Sequence, residues 1–335
     1  MTELRLNLVT RSWVIIAKER ANRPEDFKRE QSRLDLPAYA ADCPFCPGNE
    51  DRTPTETYRV AGEGGWTIRV MPNKYAALAH EGNRLRCNDG LKRLITGTGV
   101  HEVIVETPAH NGALALLDVS SVREVIHTYR NRFCDAYGNP NVGHVILFKN
   151  HGVGAGTSLE HPHSQLIGSP VTPIQIRDRM EAYIHFYDDT GCCLICQVRE
   201  MEEEDAVRIV FETDRFLAFV PYAALTPFHI WIFPKRHAAS FMSITDDEMD
   251  DLAIVLKRVL AKIYHGLGNP DFNLIIRSNR PKDAESEHFH WYISIIPRLT
   301  LVAGFELGSG MHINTAVPEE SAAFLRDFPD SDPGD

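Results

Sequence analysis

The densest run of reactive side chains is Thr157-Ser158-Leu159-Glu160-His161-Pro162-His163-Ser164-Gln165-Leu166-Ile167. If the run from Glu160 onward is a strand, its period of two places His161, His163 and Gln165 on one face, with Pro162 and Ser164 on the other. Just upstream, Asn150-His151-Gly152-Val153-Gly154-Ala155-Gly156-Thr157-Ser158 is a glycine-rich loop. Such a backbone can approach a ligand closely and offer N–H and hydroxyl donors to phosphate oxygens. The loop beside the histidine face suggests chemistry at phosphorus. A His pair of this kind equally suits a satisfied half-buried pair or a plain metal site, and the stretch alone leaves these open.

Five of the seven cysteines fall in two tight groups, Cys43/Cys46 and Cys192/Cys193/Cys196. In a reducing compartment that pattern reads as metal ligands rather than disulfides. Each half also supplies isolated histidines. The sets are Cys43, Cys46, His110 and His161 in the first half, and Cys193, Cys196, His237 and His290 in the second. Two cysteines with two histidines make a closed structural zinc set. In the second half Cys192 competes with Cys193, and His288 is available beside His290. If His161 takes a metal, His163 is free to attack a phosphorus held by the glycine loop, and the resulting phosphoramidate is reactive enough to hand the group on.

The elements that must position these groups occur twice. Trp13-Val14-Ile15-Ile16 reads as a strand that leads to Arg20 and Arg23-Pro24. Further strands are expected over 66–72 and 99–106, and Asp118 to Tyr137 reads as an amphipathic helix capped within Asp118–Ser121 and ended by Gly138-Asn139-Pro140. A strand over 143–149, the glycine loop and the histidine strand follow. In the second half a helix from Thr245-Asp246-Asp247-Glu248 ends at Gly268-Asn269-Pro270, and a strand over 273–277 and a strand from His288 to Ile293 come after it. The same order in both halves is a two-unit repeat. It divides within Val171–Tyr187, giving domains 1–172 and 173–335. Several strands per long helix predict an α+β fold, antiparallel sheets with helices packed on one face.

The totals narrow the partners. A chain of 335 residues with 24% charged residues has a soluble globular composition and room for two domains. Its formal charge of −11 disfavours broad binding to nucleic acid or anionic membrane. Met1–Thr10 is interrupted by Glu3, Arg5 and Asn7, and no stretch approaches the ~20 apolar residues of a membrane span, so a cytoplasmic protein acting on small molecules is expected.

The run His161-Pro162-His163-Ser164-Gln165 resembles the active-site motif of the galactose-1-phosphate uridylyltransferases, the nucleotidyltransferase branch of the histidine-triad superfamily. The resemblance extends to Trp13-Val14-Ile15-Ile16, Arg20-Ala21-Asn22-Arg23-Pro24, Cys43-Pro44-Phe45-Cys46, Asn73-Lys74-Tyr75-Ala76-Ala77-Leu78, Asn150, Gly156, Ser158 and Gly304-Phe305-Glu306. It implies two tandem histidine-triad-like domains and a nucleotide carried covalently on His163, with Gln165 holding phosphoryl oxygens. It also implies phosphate contacts at Asn150, Gly156 and Ser158, a ribose contact at Asn73, and further substrate contacts at Arg20, Arg23, Phe305 and Glu306. Hydrolases of the superfamily carry a third histidine where this chain has Gln165, so the resemblance implies transfer. The chemistry agrees, because a sugar phosphate leaves as a stable anion and needs no strong general acid.

UDP-glucose with galactose 1-phosphate is the first substrate pair the resemblance implies, in a homodimer. The chain departs from the family's best-known members in two ways. Leu299-Thr300-Leu301-Val302-Ala303 lacks their lysine, and Cys193/Cys196 with His237 and His290 resembles plant ADP-glucose phosphorylase-like relatives rather than the Glu/His iron site of some bacterial enzymes. Two zinc ions are expected, and the second site could take iron. An ADP-glucose phosphorylase, and a zinc-stapled nucleotide-binding protein without turnover, are the competing readings.

Overall fold

The computed structural model describes residues 1–20, 23–27 and 36–329, apart from the side chain of Arg20. The contact expected of Arg20, and the neighbouring Ala21 and Asn22, therefore lie outside the described residues.

In chain order the first half forms strands β1 (Glu3–Asn7), β2 (Ser12–Ile16), β3 (Tyr58–Gly62), β4 (Gly65–Pro72), β5 (Arg86–Asp89), β6 (Lys92–Ile95) and β7 (Val100–Val105), helix α1 (Val119–Gly138), and strands β8 (His144–His151) and β9 (His163–Ser169). Helices α2 (Ile174–Thr190) and α3 (Leu194–Asp205) follow. The second half continues with β10 (Ile209–Glu212), β11 (Phe216–Phe219), β12 (Ile230–Pro234), α4 (Asp246–Leu267), β13 (Phe272–Arg277), β14 (Tyr292–Pro297), α5 (Gly304–Ser309), β15 (His312–Asn314) and α6 (Pro318–Asp327).

The two long helices start and stop where the sequence places them. Asp118 accepts a hydrogen bond from the backbone N–H of Ser121 at 2.7 Å, and Thr245 with Glu248 forms a reciprocal capping box on α4. Gly268 ends α4 in the left-handed conformation at φ 71°, which glycine adopts without strain. On α1 the buried residues Val122, Val125, Ile126, Tyr129, Phe133 and Ala136 recur at helical spacing and form the stripe that faces the sheet. Phe241 lies between Phe133 of α1 and Trp291, with ring centroids 5.8 and 5.2 Å away, so the two halves share one aromatic core.

The strands of the two repeats form one antiparallel ten-stranded sheet, in the order β10-β11-β12-β14-β13-β8-β9-β7-β4-β3. The halves join through β8 and β13, with His151 opposite Phe272 and Leu147 opposite Ile276. Pairing these two strands covers what would otherwise be two open sheet edges. The N-terminal hairpin crosses to the second half: β15 adds in parallel to β2, and Asn7 donates to the carbonyl of Ala223 at 3.0 Å.

Two strands begin later than their sequence suggests. β9 starts at His163, leaving His161 and Pro162 ahead of it, because Pro162 has no N–H to give to a ladder. β14 starts at Tyr292, so His288 and His290 also precede their strand. His163 and Gln165 do share a face of β9, opposite Val105 and Val103 of β7.

The middle of the sheet is tied by one carboxylate. Glu106, at the end of β7, accepts hydrogen bonds from Lys149 of β8 at 2.6 Å, from Ser164 of β9 at 2.5 Å and from Tyr129 of α1 at 2.6 Å. Its side chain is 0% exposed and that of Lys149 2%. Burial alone raises the Glu106 pKa, but the Lys149 charge and the three hydrogen bonds outweigh it and hold the group below the usual carboxylate range. Glu106→Gln leaves the Lys149 ammonium buried without its counter-charge, which costs about 3–5 kcal/mol. Urea unfolding at pH 7 should show a loss of that size. Because the folded-state pKa is depressed, the wild-type advantage is full above about pH 4.3 and shrinks as pH falls through the folded pKa. A loss under about 1 kcal/mol at pH 7 would mean that Glu106 does not hold these strands together.

Candidate active site

His163 opens β9 and lines a cleft together with Lys149, Asn150, Gly152, Thr157 and His161. Its Nδ1 lies 2.8 Å from the carbonyl oxygen of His161, two residues back. A carbonyl only accepts, so Nδ1 carries the proton and Nε2 keeps its lone pair. Burial, with the Lys149 charge adding to it, pushes the His163 pKa down and holds the ring neutral at physiological pH. Lys149 also donates to the His163 carbonyl at 3.3 Å, so the charge network of the sheet grips the backbone of this residue. Phe45 packs edge-on against both His163 and His161, with ring centroids 5.4 and 6.0 Å away.

Gln165 stands next on the same face of β9. The backbone N–H of Ala77 donates to His101 Nδ1 at 3.0 Å, which leaves the ring proton on Nε2. That N–H points at Gln165 Oε1, 2.9 Å away, and Asn73 Nδ2 approaches the same oxygen at 3.3 Å. With its carbonyl end occupied, the Gln165 amide presents its NH2 group as a donor. Asn150, which lines the cleft with His163, is treated alike: its Oδ1 accepts from Asn273 at 2.8 Å and its NH2 is left to donate. The loop after Asn150 needs its glycines. Gly156 has φ 93°, and a Cβ on Gly154 would come within 2.5 Å of the Asp271 carboxylate that holds the Gly154 N–H.

Two four-residue sets could each hold a metal ion. Cys43, Cys46, His110 and His161 bring their ligand atoms within 4.8 Å of one another, and so do Cys193, Cys196, His237 and His290. In the first set Cys46 Sγ lies 3.5 Å from His110 Nδ1 and 3.6 Å from His161 Nδ1. His161 Nε2 lies 2.8 Å from the Thr107 carbonyl, so Nε2 carries the proton and Nδ1 faces the cysteines as a bare ligand. Burial lowers the His161 pKa to about 4, which suits a neutral ligand. In the second set Cys196 Sγ lies 3.3 Å from His237 Nδ1 and 3.2 Å from His290 Nδ1. His288 and Cys192 are outside both sets. The surroundings of the pairs differ: Cys43 and Cys46 sit in a turn, whereas Cys193 caps α3 and Cys196 lies in its first turn.

Some expected contacts are not brought to this cleft within one chain. Gly156 and Ser158 are exposed on the loop outside the cleft lining, Gln165 and Asn73 also lie outside that lining beside His163, and Arg23 is exposed. Phe305 and Glu306 lie on α5, where Glu306 accepts from the Ala303 N–H and caps its own helix. Conversely, His101, Glu106 and Lys149 bond to His163, Gln165 or their strands without belonging to the expected set, and Phe45 packs on His163. Phe45 lies between Cys43 and Cys46, so its place beside the first Cys/His set is readable along the chain. His101 reaches Gln165 only through the β7–β9 register, which spacing along the chain does not encode.

Among the described residues no helix is long and apolar enough to cross a membrane. Residues 1–173 match the family model for the N-terminal domain of galactose-1-phosphate uridyl transferase, and residues 178–332 match the model for its C-terminal domain. An ADP-glucose phosphorylase of Arabidopsis thaliana is 34% identical over 97% of this chain and 92% of its own length. A galactose-1-phosphate uridylyltransferase of Thermotoga maritima is 31% identical over 98% of both chains. The crystal structure of an Arabidopsis thaliana ADP-glucose phosphorylase with bound ADP-glucose superposes with a TM-score of 0.83, at 31% identity, over 98% of this chain and 99% of that one. With both halves matched, the chain belongs to the galactose-1-phosphate uridyl transferase family of nucleotidyltransferases.

Proposed function

We propose that the protein is a hexose-1-phosphate nucleotidyltransferase that works by a ping-pong mechanism through a nucleotidyl group on His163, converting UDP-glucose and galactose 1-phosphate to glucose 1-phosphate and UDP-galactose. The observation that carries this reading is the neutral His163 ring, its Nδ1–H tied to the His161 carbonyl and its Nε2 left as nucleophile. Nε2 attacks the α-phosphorus, forming an N–P bond as the P–O bond to glucose 1-phosphate breaks. The leaving sugar phosphate takes the electron pair as a stable anion. A phosphate oxygen of the acceptor then attacks the same phosphorus and returns the pair to Nε2. The amide donors of Gln165 and Asn150 serve the non-bridging oxygens on which charge develops. Gly156 and Ser158 add phosphate donors, Asn73 holds the ribose, and Arg20, Arg23, Phe305 and Glu306 complete the substrate contacts.

A second reading keeps His163 and changes the partners to ADP-glucose and inorganic phosphate. The similarity to an ADP-glucose phosphorylase supports it, as does the absence of a cation in Leu299-Thr300-Leu301-Val302-Ala303.

Zinc fills both metal sets in this reading, with iron an alternative for the second. Tetrahedral zinc with bonds of ~2.3 Å to sulfur and ~2.1 Å to nitrogen sets S···N near ~3.6 Å. The first set, with distances from 3.5 to 3.7 Å, fits that value, and the second is slightly tighter. The metals are structural, and the reaction runs on the side chains above. We take the domains as 1–172 and 173–335 and the protein as a cytoplasmic homodimer. Support for the dimer comes from the placement of Phe305 and Glu306 away from their own chain's cleft.

Elemental analysis of protein purified without added metal should find about two ions per chain, because closed sets of this kind couple metal binding to folding. A metal-free preparation with full activity and stability would remove the metals from the account. Wild-type protein incubated with radiolabelled UDP-glucose, or with ADP-glucose, should retain acid-labile label from its preferred donor. His163→Asn should keep the fold and both metals, and lose label and donor–product exchange by about a thousandfold or more. Exchange at the wild-type rate in His163→Asn would show that no covalent step passes through this residue.

A further inference from the structure

The internal repeat gives each position of the active cleft a counterpart in the second half. His161 and His290 each complete a metal set, so two residues on Tyr292 stands where His163 stands, and Ser294 where Gln165 stands. The neighbouring strands keep the match: as His101 meets Gln165, so His229 Nε2 meets Ser294 Oγ at 2.9 Å. On the other side Lys149 pairs with Ser164, whereas Arg277 pairs with Tyr292, which puts Arg277 at the place of Asn150. The nucleophile is gone, and a cation replaces the amide donor.

A second cleft lies at that place, lined by Arg277 and Tyr292, by Arg179 and Tyr183 of α2, and by His144 and Phe289. Ile146, Ile176 and Ile276 make its walls apolar. Both arginines are half-buried, and among the described residues neither guanidinium has a hydrogen bond or an ion pair. Both line the one cleft; burial chiefly lowers the Arg277 pKa, and the Arg179 charge adds to it while Tyr292 and Tyr183 oppose it. Two like charges in an apolar-walled cleft with no carboxylate cost free energy unless an anion joins them. Tyr183 donates to the Val9 carbonyl at 2.9 Å and is hydrogen-bonded in turn to the Tyr292 hydroxyl, so the two guanidiniums are the donors left to a ligand.

We propose that this cleft binds the phosphate group of a small organic phosphate between Arg179 and Arg277, without covalent chemistry. The guanidiniums supply the paired N–H donors that phosphate accepts. The apolar walls supply contact for an organic group beside it, which distinguishes the site from one for free phosphate. The inference does not depend on which nucleotide sugar His163 takes.

The test compares the metal-loaded wild type with Arg179→Gln/Arg277→Gln, using equilibrium dialysis with inorganic phosphate and with phenyl phosphate, and thermal unfolding. The double variant should bind about one phosphate per chain fewer than the wild type and lose the corresponding phosphate-induced rise in Tm. In phosphate-free buffer it should unfold at a higher temperature than the wild type, since two uncompensated cations are gone. Labelling of His163 by nucleotide sugar should persist, which separates loss of this site from loss of the fold. Arg179→Gln alone, a milder change on a half-buried helix position, should weaken phosphate binding at least about tenfold. Phenyl phosphate binding more tightly than inorganic phosphate supports the organic ligand, and equal binding overturns that part. Equal phosphate stoichiometry in wild type and double variant, or a double variant less stable in phosphate-free buffer with an unchanged phosphate response, would overturn the proposal.

Discussion

The rest of the site depends on one buried charge. Glu106 is sealed from water, and an ionised carboxylate there stays only while Lys149, Ser164 and Tyr129 all bond to it. Those partners come from β8, β9 and α1, so the need to satisfy one side chain fixes the spacing of three strands and a helix. Lys149 then reaches on to the carbonyl of His163. His163 is therefore placed through its backbone, and its ring is left free of that network.

The ring is set by a chain of assigned protons. Thr107 takes the Nε2–H of His161, which turns His161 Nδ1 to the cysteines; the carbonyl of His161 takes the Nδ1–H of His163, which leaves His163 Nε2 bare. Each histidine thus has one nitrogen occupied by the backbone and the other committed to its task. The amides of Gln165 and Asn150 obey the same logic, with their oxygens held by His101 and Asn273 and their NH2 groups left for a ligand. The Cys/His set next to His163 contributes rigidity here, since Phe45 between two of its cysteines packs on the His163 ring.

Much of this was legible in the chain. The caps at Asp118 and Thr245, the Gly-Asn-Pro stops, the doubled cysteine pairs and the glycine loop all rest on local rules, and local rules are readable from sequence. The two-residue spacing of His163 and Gln165 needs only the pleat of a strand. His101 and Glu106 were not legible as site residues because their role lies in strand register, and β7 meets β9 across more than fifty residues of intervening chain. The join of β8 to β13 escaped for the same reason, since a repeat predicts two similar units and says nothing of the edge at which they meet. Pro162 delayed β9 by removing a donor, a local effect that the run of alternating side chains concealed.

The central claim is that His163 carries the nucleotide on Nε2 because Nδ1 is locked. The most direct measurement is nitrogen–phosphorus coupling in protein with isotopically labelled histidine, trapped after reaction with a nucleotide sugar in the absence of acceptor. The account predicts one phosphorus coupled to Nε2 of His163, with its Nδ1 protonated. Phosphorus on Nδ1, on another residue, or on no residue of the protein would contradict it.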